Sequence, residues 1–269
     1  MKKIVLILIV AIFVNSCTKV PITYRKQNTL VPEAEIQSLS STEYQKFLKE
    51  HKLSTDAKQN EMVKSIGNNI ATNITTFFKT YKDGKYYKNL ANYQWEFNVV
   101  EDTIVNAWCM PSGKVVVYTG LLPVTQNENA LAVVMGHEIA HAIAKHGNER
   151  MSQQMKAQAL GTVVSMAVSN SPQVTQDIFN VAFGVLGNLA ILKYSRTHET
   201  EADKLGLVFM ALAGYDPNEA IPFWERMSKM SGGAKLPQFL STHPSDAQRI
   251  KELQAWMPEA LKYYTKKAG

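Results

Sequence analysis

Apolar and polar positions follow two distinct periods along this chain, and each period predicts its own kind of element. Met62, Ile66, Ile70, Ile74 and Phe78 recur every four residues and line one buried face of a helix. Phe77 and Phe78 belong to that core, not to a ligand box. Trp95, Phe97 and Val99 alternate with polar neighbours, and Val115-Val116-Val117-Tyr118 is β-branched, so two or more strands are predicted. Ser40-Ser41-Thr42-Glu43 has the spacing of a capping box, which opens a folded body with a short helix. A second box, Thr125-Gln126-Asn127-Glu128, opens the run Ala130–His141, whose Ala, Leu and Met content predicts a buried helix. No repeat of about 20 to 50 residues is visible, which argues against solenoids and propellers. The set predicts an α+β fold, mostly helical with a small sheet.

The start of the chain has a different pattern. Lys2 and Lys3 precede Ile4–Val14, an unbroken apolar run of eleven residues. That is short of the roughly 20 residues needed to cross a bilayer and fits the apolar region of an export signal. Val14-Asn15-Ser16-Cys17 resembles a bacterial lipobox, which predicts removal of residues 1–16 and a lipid on Cys17. Thr18 stands where an Asp would argue for inner-membrane retention, so the expected location is the outer membrane, facing the periplasm. Residues 17–41, with Pro21 and Pro32 and no sustained period, read as a lipid-anchored tether, and 42–269 as one domain. Ala159–Val168 and Ile178–Leu192 are too short or too polar to span a membrane.

Composition narrows the class. The 269 residues are 45% hydrophobic and 19% charged, too apolar for disorder, and two cysteines exclude a disulfide-stapled miniprotein. Removing Lys2 and Lys3 from the 29 basic residues leaves 27 against 23 acidic ones, a surplus of four. With no long Lys/Arg cluster, that surplus does not describe a nucleic-acid footprint. If Cys17 is acylated, Cys109 has no disulfide partner and is expected to be a buried packing residue without a metal role.

The chemistry concentrates in His137-Glu138-Ile139-Ala140-His141. Residues four apart share a helical face, so both imidazoles can reach one metal, with Glu138 beside a water on it. Three polar groups in an apolar helix would each need a partner if they were only structural. A catalytic zinc site needs a third protein ligand and an open position. The pattern with a distant third histidine would place Gly at 144 and His at 147; the chain has Ala144 and Gly147, with His146 one position off. Cys109 is nominally available, but its neighbours Trp108 and Met110-Pro111 do not resemble a deformylase motif. The remaining source is Glu199-Thr200-Glu201-Ala202-Asp203 on a second helix. Glu199 and Asp203 share a face, so Glu199 can bind zinc while Asp203 takes the outer N–H of a ligating histidine, His137 in the first instance. Glu201 stays open as an alternative ligand, and His198 is expected to face away.

These residues, with Thr242-His243-Pro244-Ser245, Arg249-Ile250, Asn106-Ala107-Trp108 and Tyr118-Thr119-Gly120-Leu121-Leu122, resemble the gluzincin zinc metallopeptidases that include HtpX and the CaaX prenyl endopeptidase. The likeness runs from about residue 42 to 255, and the lack of spanning helices brings it nearest to the lipid-anchored periplasmic branch, similar to BepA without its helical repeats. The resemblance implies a zinc metalloendopeptidase with one zinc ion and polypeptide substrates, unfolded or misassembled outer-membrane proteins in particular. It also places His243 near the metal, where it can be a fourth ligand that latches the enzyme. For the chemistry itself, zinc lowers the pKa of a bound water, Glu138 acts as the base, and the developing oxyanion needs a further donor, Arg249 first and Tyr194 second. The strand at Ala107–Met110 or at Lys114–Tyr118 is a candidate edge for an extended substrate. A zinc-binding scaffold lipoprotein and a non-proteolytic zinc amidohydrolase are the competing classes. A nucleic-acid partner is not expected.

Overall fold

The β-branched run at 115–118 forms the middle strand of a three-stranded sheet. The computed structural model describes residues 17–82, 84–161, 172–183, 195–230, 237–244 and 247–265. A hairpin comes first, β1 (Cys17–Lys19) against β2 (Lys26–Asn28). The sheet proper is β3 (Glu96–Val100), β4 (Ala107–Met110) and β5 (Lys114–Tyr118), in the order β3-β5-β4. β5 runs parallel to β3 and antiparallel to β4, with Ala107 opposite Val117 and Met110 opposite Lys114. Every residue of β5 is buried, because both faces of the sheet are covered. Val115 and Val117 enter the main core, whereas Val116 and Tyr118 pack on the other face with Tyr44 and Phe47 of α1 (Glu33–Glu50). β4 lies at the edge.

The main core is built by helices. In α2 (Ala57–Thr80), Ile66, Ile70, Ile74 and Phe78 are buried as the four-residue period predicts, while Met62 is only partly buried and Val63 takes the buried place beside it. Full burial of such a side chain stabilises by about 1.5–3 kcal/mol. After the short helices α3 (Tyr87–Leu90) and α4 (Leu122–Thr125), α5 (Glu128–Ile143) is buried on all sides from Ala130 onward. It ends at a sharp turn: Lys145 has φ 57°, and α6 (His146–Gly161) leaves in a new direction. Then follow α7 (Pro172–Phe183), α8 (Arg196–Leu212), α9 (Ala220–Met230), α10 (Gln238–Thr242) and α11 (Ala247–Leu261). No helix among the described residues is long and apolar enough to cross a membrane.

Two local expectations change. Ser40-Ser41-Thr42-Glu43 does not start a helix, because α1 already begins at Glu33 behind Pro32. Glu33 and Glu35 complement the helix dipole there. Ser40 instead donates to Pro111 O at 2.5 Å, linking α1 to the sheet. Likewise α5 is capped by Asn127, whose side chain accepts from Ala130 N at 2.9 Å, while Thr125 closes the preceding turn on Leu122 O. The segment 17–41 also differs from a free tether. It contains the hairpin and the first half of α1, and Val20, Gln27, Val31 and Ile36 are buried. Apolar surface explains part of this docking and polar contacts to α6 and α8, given below, explain the rest. The expected signal at 1–16 lies outside the described residues.

α5 and α8 cross at two glycines. A Cβ on Gly136 would lie 2.9 Å from Gly206 O, and one on Gly206 would lie 2.9 Å from His137 N. Real Cβ atoms do not tolerate such contacts easily, so the crossing requires the two hydrogens that glycine offers. The close approach sets the two polar stretches of α5 and α8 face to face.

Candidate metal centre and active site

His137 and His141 lie one turn apart on α5, and Glu199 lies in the first turn of α8, whose N-cap Ser195 accepts from His198 N. The His137 and His141 Nε2 atoms are 3.0 Å apart, and Glu199 stands 3.5 Å from the first and 3.4 Å from the second. His243, the C-cap of α10, joins them, its Nδ1 3.2 Å from His137 Nε2 and 3.0 Å from Glu199 Oε1. All four residues are buried, and their ligand atoms lie within 4.8 Å of one another.

This donor set fits zinc. A tetrahedron with bonds of about 2.0–2.1 Å has edges of about 3.3–3.4 Å. The nearest spacings here, 3.0 to 3.5 Å, cluster around that value. Glu138 adds the next observation: its Oε1 is buried and has no hydrogen-bond partner, although His243 Nε2 is 3.4 Å away. A buried, unsatisfied carboxylate oxygen beside a metal set is suited to a water that the metal would supply. Burial pushes the Glu138 pKa up to about 7, with His243 and Arg249 opposing, which suits a group that takes and returns a proton near neutral pH. Burial opposes ionisation of Glu199 too, but His243, His137 and His141 hold it well below the usual carboxylate range.

Each ligand on α5 has its own support. His137 Nδ1 donates to Asp203 Oδ1 at 2.9 Å, the pairing that the spacing of Glu199 and Asp203 predicts. Arg249 stands behind Asp203, donating through Nε and Nη2 at 2.8 and 2.7 Å, and its Nη1 lies 3.2 Å from Glu199. Its guanidinium also covers the Trp224 ring, 3.4 Å from the centroid. Arg249 is the sequence's first choice for the oxyanion donor. In the structure it is buried, with donors on Asp203 and Pro244 O and Nη1 beside Glu199. Tyr194 lies outside the described residues.

His141 is supported by a longer line that sequence reasoning missed. Its Nδ1 lies 2.8 Å from His146 Nδ1, and His146 Nε2 lies 2.9 Å from Glu201 Oε2. Burial holds the His146 pKa down to about 4, despite the neighbouring carboxylate, so the ring is neutral at pH 7. Glu201, the alternative ligand in the sequence, therefore faces away from the metal set and serves it through His146. His198 also stays out of the set, stacked on His146 at 4.5 Å and 3.1 Å from Glu149. Helical phase alone places His146 far from His141, and only the left-handed Lys145 brings the ring back. Cys109 is a free thiol on β4, half-buried instead of fully buried, and lines a small cavity with His141, Pro111 and Ile36.

A buried two-histidine, one-carboxylate set with a second carboxylate beside it is the arrangement of a gluzincin-type zinc site. Residues 59–257 match peptidase family M48, and the chain belongs to that family. It is 38% identical over 172 residues to the mitochondrial metalloendopeptidase OMA1 of Schizosaccharomyces pombe, covering 64% of this chain and 49% of that protein. The human metalloendopeptidase OMA1 is 29% identical over 248 residues, 90% of this chain and 46% of that one. A putative beta-barrel assembly-enhancing protease of Vibrio cholerae is 31% identical over 164 residues, 58% of this chain and 33% of that one. The chain thus spans about half or less of the length of these relatives.

Proposed function

We propose that this chain hydrolyses peptide bonds in unfolded or misassembled envelope proteins, anchored to the outer membrane through Cys17 and facing the periplasm. The position of β4 carries the substrate part of this reading. It is an edge strand of the sheet, β3 being the other, and its Cys109 lines the same cavity as His141. An extended chain added to that edge runs past the metal set and is recognised through its backbone, which suits substrates without fixed structure. β5, the other candidate edge, is interior. The lipobox-like Val14-Asn15-Ser16-Cys17 supports the anchor, and the name of the Vibrio cholerae relative supports the envelope role.

When bound, zinc polarises the scissile carbonyl and acidifies water. Glu138 Oε1 takes a proton from the attacking water and returns it to the leaving amine. Asp203 and Arg249 keep His137 in one tautomer throughout. The test is degradation of casein by wild type and by Glu138→Gln, each with zinc and with chelator. Loss in Glu138→Gln and in chelator supports the reading; activity that survives Glu138→Gln sinks it.

A further inference from the structure

The two imidazoles on α5 are braced in unlike ways. His137 leans directly on a carboxylate, whereas His141 leans on a second imidazole and reaches Glu201 only through it. A contact between two Nδ1 atoms works in one direction at a time. With His141 presenting Nε2 to the metal, its Nδ1–H donates, so His146 Nδ1 accepts and His146 Nε2–H donates to Glu201. The line is correctly polarised only while Glu201 is held in place as a carboxylate.

That hold comes from the other end of the chain. Between β1 and β2, Arg25 Nε donates to Glu201 Oε2 at 2.7 Å and the Thr23 hydroxyl donates to Glu201 Oε1. The Arg25 fork donates to Glu149 at 2.9 and 2.7 Å, so one guanidinium fixes α8 through Glu201 and α6 through Glu149. α6 begins at His146, so the two helices that support His141 from outside α5 are under the same clamp. A lysine could not do this, because a single ammonium cannot present a side and a fork to two carboxylates.

We propose that the N-terminal hairpin is a working part of the metal centre, with Arg25 and Thr23 as positioning residues that hold His141 through Glu201 and His146. Neither residue touches the metal set. Their effect is on how firmly His141 is oriented, and so on metal affinity and ligand geometry. The proposal rests on the zinc reading but not on peptide hydrolysis, and metal binding can be measured without a substrate.

The experiment is zinc affinity of the full chain by competition with a chromophoric chelator, together with the visible spectrum of the cobalt-substituted protein. Loss of such a support typically costs 10- to 100-fold in metal affinity. Arg25→Gln is expected to fall in that range and to shift the cobalt bands, Arg25→Lys not to restore them, and Thr23→Val to give a smaller loss in the same direction. Lys52→Gln, which breaks an exposed ion pair with Glu101, is the control for unspecific charge loss. Zinc affinity and cobalt spectrum unchanged in Arg25→Gln overturn the proposal, even if its melting temperature falls, because that result describes a merely structural clamp. If Arg25→Gln does not fold, Thr23→Val decides by the same two readouts.

Discussion

Asp203 and Arg249 form a buried two-point pair in which Nε and Nη2 of the arginine each hold one carboxylate oxygen, at 2.8 and 2.7 Å. The oxygen that takes Nη2 also takes His137 Nδ1–H, so the pair fixes the tautomer that leaves His137 Nε2 free for a metal. Asp203→Asn keeps the shape but removes the charge that both donors need. It is expected to lower zinc affinity about 10- to 100-fold. Arg249→Lys should lose most of the same affinity, since an ammonium cannot reproduce a bidentate pair. Chelator competition on both variants checks this, and wild-type affinity in either would contradict it.

His243 sits in the metal set and 3.4 Å from Glu138, where a catalytic water or a carbonyl would have to go. If His243 binds the metal as a fourth protein ligand, the resting site would be closed. His243→Ala is expected to raise basal casein degradation severalfold while weakening zinc binding. Basal rates equal to or below wild type at saturating zinc would rule out a latching role for His243.

The contact of Gly136 and Gly206 predicts a coupled loss. Alanine at either position gains up to about 1 kcal/mol of helix propensity but forces apart two packed backbones, an overpacking cost of about 1–3 kcal/mol. The net expectation is destabilisation, with zinc affinity falling in parallel because His137 and Glu199 move apart. Urea unfolding and metal titration of Gly206→Ala test both. A stabilised variant with intact affinity would show that the crossing has slack.

Acid should loosen the fold in two stages. Folding keeps His146 from protonating, its pKa held at about 4 by burial, while an unfolded histidine titrates near 6.5. Between those values the unfolded chain binds more protons, so stability falls as pH drops from about 6.5 to 4. Glu149 extends the trend. Burial opposes its ionisation, but His198 and Arg25 hold it at about 2, so its contribution is present above the unfolded value near 4.5 and is lost on the way down to 2. Urea midpoints of the metal-free protein across pH 7 to 3 measure the slope, and His146→Gln should flatten its upper stage. A flat profile in wild type would contradict the assignment.

Local pattern made α2, α5 and β5 legible, because a buried stripe and a buried strand each repeat with the period of their own element. The same logic placed Glu199 and Asp203 on one face of α8 and linked Asp203 to His137. It missed what depends on turns and on distant partners. The start of α1 at Pro32 was hidden by a better-looking box inside the helix. His146 lies beyond a left-handed lysine, where helical phase no longer applies. Arg25 contacts a residue 176 positions away, and nothing near it in the sequence marks a charge that will be buried. Arg249 is offered by the sequence as an oxyanion donor, but composition cannot show that its guanidinium also holds Asp203.

On the proposed role of Arg25, the length of the Arg25–Glu201 connection also sets when the metal centre can be completed. On a ribosome the chain appears in order: Arg25 first, then His137 and His141, then Glu199 and Glu201, and His243 and Arg249 last. Incomplete chains carry the His-Glu-x-x-His signature but neither the carboxylate that completes the metal set nor the anchor that Arg25 must find. On the proposed role of Arg25, a metal centre that draws on residues as far apart as 25 and 249 is complete only once the chain through both has been made and has folded.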